Sequence, residues 1–138
     1  MSVSSQALER ATRLSFSAGQ IVQEIGYDTD CDADLREAIV EIIGSDLVDI
    51  DFDEVVDAAL FWFREDDGDL TDALVDVISP LADQGVVWLL TPKPGREGHI
   101  EPEDITEAAQ TAGLRQTSTI SAGENWQGTR LVAPRAKR

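Results

Sequence analysis

The chain has 138 residues, with 27 acidic and 11 basic side chains and a formal net charge of −16. This length suits one domain with its own hydrophobic core, and the excess of carboxylates disfavours direct binding to nucleic acid or to an anionic membrane. The sequence shows no secretion signal and no apolar stretch of about 18 residues, so we expect a soluble, cytoplasmic protein.

The acidic residues are concentrated in the middle of the chain. Residues 28–83 hold 19 acidic side chains and two basic ones, Arg36 and Arg64, whereas residues 91–138 hold 6 acidic and 7 basic side chains. A solvated acidic face that keeps the protein dispersed is the simplest interpretation. Binding of a basic protein partner, or mimicry of nucleic acid, is the alternative that this pattern leaves open.

The first half of the chain alternates strand and helix patterns. Residues 1–18 have little apolar periodicity and are predicted to form a flexible N-terminal arm. Residues 19–26 are partly β-branched and predict the first strand, and residues 32–44 carry apolar side chains at helical spacing behind acidic residues. Residues 47–50 allow a short strand. The apolar run 55–63 is typical of a strand covered on both faces, although its periodicity alone also allows a helix.

The next elements are a helix, a strand and a loop. Residues 70–81 predict an amphipathic helix, which Pro80 kinks or ends near Ser79. Residues 86–90 are wholly apolar and predict the central strand. Residues 91–99 contain two prolines and two glycines, which predict a loop.

The chain closes with a helix and a hairpin. Residues 102–113 begin with proline and end with glycine, as helices often do, and residues 114–121 and 128–134 predict two paired strands before a short basic tail, 135–138. The element order is β-α-β-α-β-α-β-β. We therefore predict a single α/β domain over residues 19–134, a three-layer Rossmann-like fold with a mostly parallel sheet and a C-terminal antiparallel hairpin.

This order of elements resembles the second half of class I methyltransferases. The stretches FDEVVDAALFWF and PLADQGVVWLL, with the closing strand pair, carry the resemblance over residues 52–134. It implies a truncated methyltransferase-like Rossmann core. Such enzymes bind S-adenosylmethionine with a glycine-rich turn after the first strand, whereas GYDTDCDAD follows that strand here and Gly26 stands alone. We therefore expect no cofactor.

A further resemblance covers most of the chain. The stretches FSAGQIVQEIGYDTDCDADLREAI, DGDLTDALVDVISPLADQGVVWLLTPKPGREGHIEPEDI and NWQGTRLVAPR are similar to the actinobacterial branch of the DUF3052 family. That family carries a Trp-Pro-Lys-type segment after the central strand and a Trp-Ser-Gly-type segment before the last strand. Residues 91–93 and 126–128 correspond to these segments, with Thr91 and Gln127 as departures. The resemblance implies the fold and assigns no reaction.

The loop after the central strand is the first candidate site. In an open parallel sheet, ligands bind beyond the carboxyl ends of the strands, where this loop begins. Thr91 offers a hydroxyl, Lys93 and Arg96 offer positive charge for a phosphate or carboxylate, and His99 titrates near neutral pH. These residues predict a site for a small anionic ligand or a partner. The alternative is a rigid connector whose basic side chains offset the acidic face.

The C-terminal hairpin is the second candidate. Trp126 follows a polar turn and is a candidate to stack on a ligand or anchor a partner, while Arg130 points from the next strand. We favour the alternative that the hairpin folds back as a lid over the sheet edge. Trp62 and Trp88 lie in apolar strand runs and are predicted to belong to the core.

The aspartates around Cys31 are more typical of helix caps than of a metal site. Asp30, Asp32, Asp34 and Glu41 have the spacing of some calcium-loop ligands, but Leu35 stands where such a loop needs glycine. We therefore predict no metal. The surrounding carboxylates are expected to raise the pKa of the Cys31 thiol, which argues against a catalytic thiolate.

Taken together, these patterns predict no catalytic residue and favour a non-catalytic cytoplasmic binding or interaction module on a degenerate methyltransferase-like fold. Its partner would be an unknown protein or a small anionic ligand. One alternative is a divergent methyl or acyl transferase, or an anionic-ligand-binding protein, that uses loop 91–99. Another is an acidic mimic of nucleic acid.

Overall fold

The computed structural model describes residues 5–133 and contains four α-helices, five strands and one short 3-10 helix in this range. The elements are α1 Ser5–Arg13, β1 Val22–Ile25, α2 Ala33–Ile43, β2 Val56–Trp62, the 3-10 helix Glu65–Asp67, α3 Leu70–Ile78, β3 Leu81–Pro92, α4 Pro102–Ala112, β4 Arg115–Ser121 and β5 Trp126–Val132. Their order along the chain confirms the predicted alternation and the terminal hairpin.

The five strands form one mixed sheet in the order β1-β2-β3-β5-β4. Strands β1, β2 and β3 are parallel, and β5 runs antiparallel to both β3 and β4. The register sets Leu60 opposite Trp88, and Trp88 opposite Arg130. The α/β fold class, with a mostly parallel sheet and an antiparallel hairpin, is confirmed.

Helices cover both faces of the sheet because successive strand residues point to opposite sides. On one face, Trp62 and Trp88 pack with the buried side chains of α1 and α2. On the other face, Phe61 and Leu89 pack with those of α3 and α4. The apolar runs in β2 and β3 are therefore strands buried on both sides, and the two tryptophans belong to the core as predicted.

The chain before β1 differs from the predicted flexible arm. Helix α1 buries Ala7 and Ala11, and the following segment buries Leu14 and Phe16 against the same core as α2. The indole Nε1 of Trp88 donates a hydrogen bond to the carbonyl oxygen of Leu14 at 2.9 Å. Residues 5–18 are thus part of the domain. The remainder of the predicted arm, residues 1–4, and the predicted basic tail, residues 135–138, lie outside the described residues.

The boundaries of α3 and β3 also differ from the prediction. The helix ends at Ile78 instead of extending to residue 81, which agrees with the stop expected from Pro80. Strand β3 is longer than the predicted segment 86–90 and takes in Thr91 and Pro92 from the predicted loop. These two residues remain in the sheet because β3 pairs with β5 up to the Pro92–Trp126 position.

The short strand allowed at residues 47–50 is reduced to one parallel bridge between Val48 and Gln23. The backbone N–H of Glu24 donates to the Val48 carbonyl at 2.8 Å, and the N–H of Val48 donates to the Val22 carbonyl at 2.9 Å. Val48 therefore extends the sheet on the outer side of β1, while β2 lies on the inner side. After β1 the chain first passes to Val48 on the outer side and then crosses to β2 on the inner side. The strand order therefore changes direction between β1 and β2, which makes this boundary the topological switch point.

Candidate functional site

The carboxyl ends of the three parallel strands meet at one edge of the sheet. Gly26 follows β1, Arg64 follows β2 by two residues, and Pro92 ends β3. Open sheets of this type bind ligands in the crevice beyond the carboxyl ends at the switch point. In this chain the switch point is the β1–β2 boundary, and a side chain of the protein lies in the crevice there.

The side chain in the crevice is Arg64. Its Nη1 donates to the carbonyl oxygen of Gly26 at 2.9 Å, so the guanidinium spans from the end of β2 to the end of β1. Its Nε and Nη2 donate to the two carboxylate oxygens of Asp30 at 2.9 and 2.6 Å. A further ion pair joins Nη1 to Asp67 at 3.3 Å, and only 15% of the Arg64 side chain is exposed. Arg64 is therefore held at several points.

The local sequence explains how this arginine is positioned. Asp67 accepts a hydrogen bond from the backbone N–H of Arg64 at 2.9 Å, which caps the short 3-10 helix after β2. The N–H of Glu65 donates to the carbonyl of Gly98 at 2.9 Å, which connects this turn to the loop after β3. Asp30 approaches from the segment between β1 and α2. The guanidinium therefore joins two connections, and the Glu65–Gly98 hydrogen bond adds the third.

The ion pair shifts the titration of its members. Hydrogen bonding from Arg64 lowers the pKa of Asp30, and hydrogen bonding to Asp30 raises the pKa of Arg64. Burial raises the pKa of the Cys31 thiol to about 11, although Arg64 Nη2 lies 3.0 Å from its sulfur and opposes the shift. The predicted direction for Cys31 is confirmed, with burial, rather than the neighbouring carboxylates, as the largest cause.

Trp126 packs against this cluster from the start of β5. It is 3% exposed, its ring meets Trp62 edge-on at 5.0 Å between centroids, and its Nε1 donates to the backbone carbonyl of Asp30 at 3.0 Å. The Arg64 guanidinium carbon lies 5.2 Å from the ring centroid. The ring is thus buried rather than exposed for stacking, in agreement with the alternative that the hairpin folds back on the sheet.

Two polar side chains of the loop after β3, those of Lys93 and His99, are engaged within the fold. Lys93 Nζ donates to the Ser121 hydroxyl at 2.7 Å. His99 Nδ1 lies 2.8 Å from the carbonyl oxygen of Pro92, where a protonated Nδ1 donates. Thr91 is fully buried, and its hydroxyl has no hydrogen-bond partner among the described residues, so it does not face solvent as the ligand prediction requires. This part of the loop resembles the predicted rigid connector.

Arg96 and Arg130 lie in different places. Arg96 is exposed and lines a cleft with Trp126 beside the Arg64 cluster. Arg130 lies opposite Trp88 in the sheet register and donates from Nη1 to the Thr117 hydroxyl at 3.1 Å. It lines a separate cleft near the start of β3. Trp126 and Arg130 therefore line different clefts, whereas Arg96 and Trp126 line the same one.

The cleft beside Arg64 has a volume of about 470 Å³. Its charged lining consists of two arginines and four acidic residues, namely Arg64, Arg96, Asp30, Asp66, Asp67 and Glu97. Because Asp30 and Asp67 already neutralise Arg64, the remaining surface is acidic and disfavours an anion. Neither Arg64 nor Asp30 was predicted to be a ligand- or partner-binding residue. One signal was present, since Arg64 is one of two basic residues in the acidic segment 28–83.

The fold defines a methyltransferase-like Rossmann protein. A solved methyltransferase from Pyrococcus furiosus is 13% identical, with a TM-score of 0.56 over 93% of this chain and 83% of its own. A SAM-dependent methyltransferase from Aquifex aeolicus is 12% identical, with a TM-score of 0.58 over 91% of this chain and 88% of its own. At these identities the similarity establishes the fold.

The chain belongs to the DUF3052 family, described as a protein of unknown function, whose profile matches residues 11–135. Uncharacterised proteins of Mycobacterium tuberculosis and Mycobacterium bovis are each 50% identical to it over 127 residues, which cover 92% of this chain and 80% of theirs. The predicted family is therefore confirmed, together with its lack of an assigned function.

The resemblance to methyltransferases implies a site for S-adenosylmethionine, but the crevice does not fit this cofactor. A Cβ built at Gly26 would collide with the carbonyl oxygen of Trp62, so this glycine allows β2, rather than a ligand, to approach closely. Arg64 also donates a hydrogen bond to the carbonyl oxygen of Gly26 and binds the segment after β1 through its ion pair with Asp30. The turn after β1 is thus closed by the protein's own side chains.

Within residues 5–133, no three His, Cys, Asp or Glu side chains are grouped so that they could hold a metal ion. Asp32 instead caps α2 by accepting from the N–H of Leu35 at 3.1 Å, which confirms the interpretation of this aspartate as a helix cap. None of the helices in this range is long and apolar enough to cross a membrane.

Proposed function

We propose that this protein is a non-catalytic, cytoplasmic binding module whose role is to engage a protein partner. The observation that carries the proposal is the position of Arg64, whose guanidinium fills the switch-point crevice and is neutralised by Asp30 and Asp67. A catalytic crevice needs room for its substrate and groups poised to react. Here a network of hydrogen bonds occupies the switch point itself, and the cleft of about 470 Å³ beside it has a net acidic lining.

Charge indicates the class of partner. The cleft beside Arg64 has an acidic lining, and residues 28–83 hold 19 acidic side chains. Complementary charge speeds encounter and selects among partners. A basic protein is therefore a better candidate than a small anionic ligand, for which Lys93 and Arg96 would have to overcome the surrounding carboxylates.

Ligand screening tests the non-catalytic part of the proposal. We expect S-adenosylmethionine, S-adenosylhomocysteine, nucleotides and acyl-coenzyme A to leave the melting temperature of the purified chain unchanged. A ligand at about 100 times its Kd would add about 2.7 kcal/mol to the free energy of unfolding, which is a rise of several degrees. A saturable rise with S-adenosylmethionine, confirmed by calorimetry, would refute the proposal.

A double variant tests the alternatives that place a ligand site in loop 91–99. Combining Lys93→Ala with Arg96→Ala removes both cations of the loop after β3 and leaves the Arg64 cluster in place. If nucleotides or acyl-coenzyme A stabilise the parent chain and not this double variant, loop 91–99 is a ligand site after all. The matched control is Arg115→Ala, which removes an exposed arginine from β4.

Partner capture tests the interaction part. The tagged chain, incubated with a lysate of the cell that produces it, is expected to retain a basic protein that elutes as salt is raised. Release of that protein by added duplex DNA at constant salt would favour the nucleic-acid mimic instead. Failure to retain any protein at low salt would contradict the proposed role.

A further inference from the structure

A second cleft, of about 580 Å³, lies on the α3/α4 face of the sheet. We name it the β1–α3 groove. Its apolar lining is formed by Ile25, Ile50, Phe52, Phe61, Phe63 and Val77. Phe61 and Phe63 meet edge-on at 5.4 Å between ring centroids and form its floor with Ile25, which belongs to the same face of the core. The groove is distinct from the cleft beside Arg64.

The topology explains why this face is open. In a doubly wound sheet, the connection that crosses between parallel strands usually carries a helix that packs on the sheet. Here residues 49–55 connect the Val48 bridge to β2 and contain no helix. This short segment and the side of α3 cover the apolar side chains above β1 and β2, so Phe61 and Phe63 are buried beneath them. Ile50 remains 70% exposed.

The surroundings of the groove are strongly acidic. Asp76 contributes to its lining, as does Asp67, which pairs with Arg64 and also lines the cleft beside Arg64. Residues 46–83 contain 13 acidic side chains and a single basic one, Arg64, which faces Asp30 in the other cleft. An apolar floor with a carboxylate rim matches a ligand that is apolar on one side and positively charged on the other.

We propose that the β1–α3 groove binds a basic amphipathic helix of a partner protein. The position is that of a crossover helix on a sheet face, so a helix fits the architecture better than an added strand. Apolar residues of the helix would pack on Ile50 and Phe52, and its lysines or arginines would face Asp76 and the 49–54 segment. A second copy of this chain is disfavoured because each copy carries a net charge of −16.

This inference specifies the partner surface of the proposed binding module, and it can be tested with a defined probe. The probe is a fluorescent synthetic peptide of about 15 residues, with leucine and phenylalanine along one helical face and lysine elsewhere. A peptide of the same composition in scrambled order controls for attraction to negative charge alone. A third peptide carries glutamate in place of lysine.

We expect fluorescence anisotropy to show saturable binding of the amphipathic basic peptide, about tenfold tighter than the scrambled peptide and the acidic one. Amide chemical shifts measured by NMR should move at Ile25, Phe61 and Val77. Equal binding of the amphipathic and scrambled peptides, or shifts confined to loop 91–99, would overturn the inference. So would an absence of binding.

Two pairs of variants assign the binding to the groove. Ile50→Ser removes an exposed apolar contact, and its control is Val75→Ser, an exposed α3 residue outside the groove lining. Asp76→Lys reverses a rim charge, and its control is Glu107→Lys on α4. We expect the two groove variants combined to weaken peptide binding about tenfold or more and the controls to stay within about twofold.

The same variants separate this inference from the proposed function. If the groove variants retain the partner captured from the lysate as well as the parent chain does, the interaction module stands and its groove assignment fails. If the parent chain instead binds S-adenosylmethionine, the proposed function fails whatever the peptide does. Circular dichroism of each variant verifies that the fold is intact before binding is compared.

Discussion

Arg64 and Asp30 form a two-point ion pair across the carboxyl ends of β1 and β2, with Nη2 at 2.6 Å from Oδ1 and Nε at 2.9 Å from Oδ2. The pair connects the segment after β1 to the turn after β2. The backbone carbonyl of the same aspartate accepts from Trp126, so the hairpin is joined to it as well. Asp30 therefore connects three segments, through its carboxylate and its backbone carbonyl, at the edge of the sheet where related folds bind their ligands.

Asp30→Asn should lower the free energy of unfolding by about 1 to 2 kcal/mol, because a largely buried guanidinium would lose its charged partner. The expected loss in the free energy of unfolding is modest because the Asp30 side chain is 55% exposed and Asp67 still pairs with Arg64. Urea denaturation measures the change. Glu124→Gln, an exposed carboxylate in the hairpin turn, is the control and should change stability little. Equal effects of the two substitutions would contradict the role given to the pair.

The stabilisation from Asp30 should depend on pH in a defined direction. The folded protein holds the pKa of this carboxyl below its ordinary value of 3.8, so the unfolded chain binds a proton first as the pH falls. The contribution is therefore complete well above pH 3.8 and is lost as the pH falls through the folded-state pKa. The difference in unfolding free energy between the parent and Asp30→Asn should be constant between about pH 5 and 7 and shrink below 3.8. A difference that grew in acid would refute this assignment.

Cys31 should react slowly with thiol reagents. Its pKa is raised from 9.0 to about 11, and each unit lowers the thiolate population about tenfold. The rate of reaction with a chromogenic disulfide near pH 8 should be about a hundredfold lower in the folded chain than in the same chain unfolded in urea. Similar rates in the two states would show that the folded chain neither buries the thiol nor raises its pKa. A slow rate supports a structural role in packing against the Arg64 cluster.

The sequence was sufficient to predict most of the fold because its apolar runs are long and unambiguous. Residues 58–62 of β2 and 86–90 of β3 are covered on both faces and contain no polar side chain, and α2 and α4 end at Gly44 and Gly113 in the left-handed conformation. Helix α1 was missed because it buries only Ala7 and Ala11, whose small side chains give a weak apolar pattern.

The candidate site was harder to predict because it depends on contacts between distant segments. The acidic residues of the segment DTDCDAD gave no indication that Asp30 alone faces Arg64, which lies 34 positions further along the chain. The polar sequence around Trp126 suggested a ring available to a ligand or partner, whereas the ring packs against Trp62 on β2. Periodicity reports burial within one element. It carries no information about which loops converge at a sheet edge.

Gly26→Ala tests whether the turn after β1 is built for close packing against β2. The backbone at this residue has a φ of +82°, and a Cβ would collide with the carbonyl oxygen of Trp62. We expect a loss of about 3 kcal/mol or more in the free energy of unfolding, of which about 1 to 2 kcal/mol is backbone strain and the remainder is steric. Gly113→Ala is the matched control, because its φ is +88° and no atom lies within 4 Å of the added carbon. This control should lose only the strain contribution. If both substitutions cost the same, the approach of Trp62 does not explain the glycine, and space for a ligand at the turn after β1 would have to be considered again.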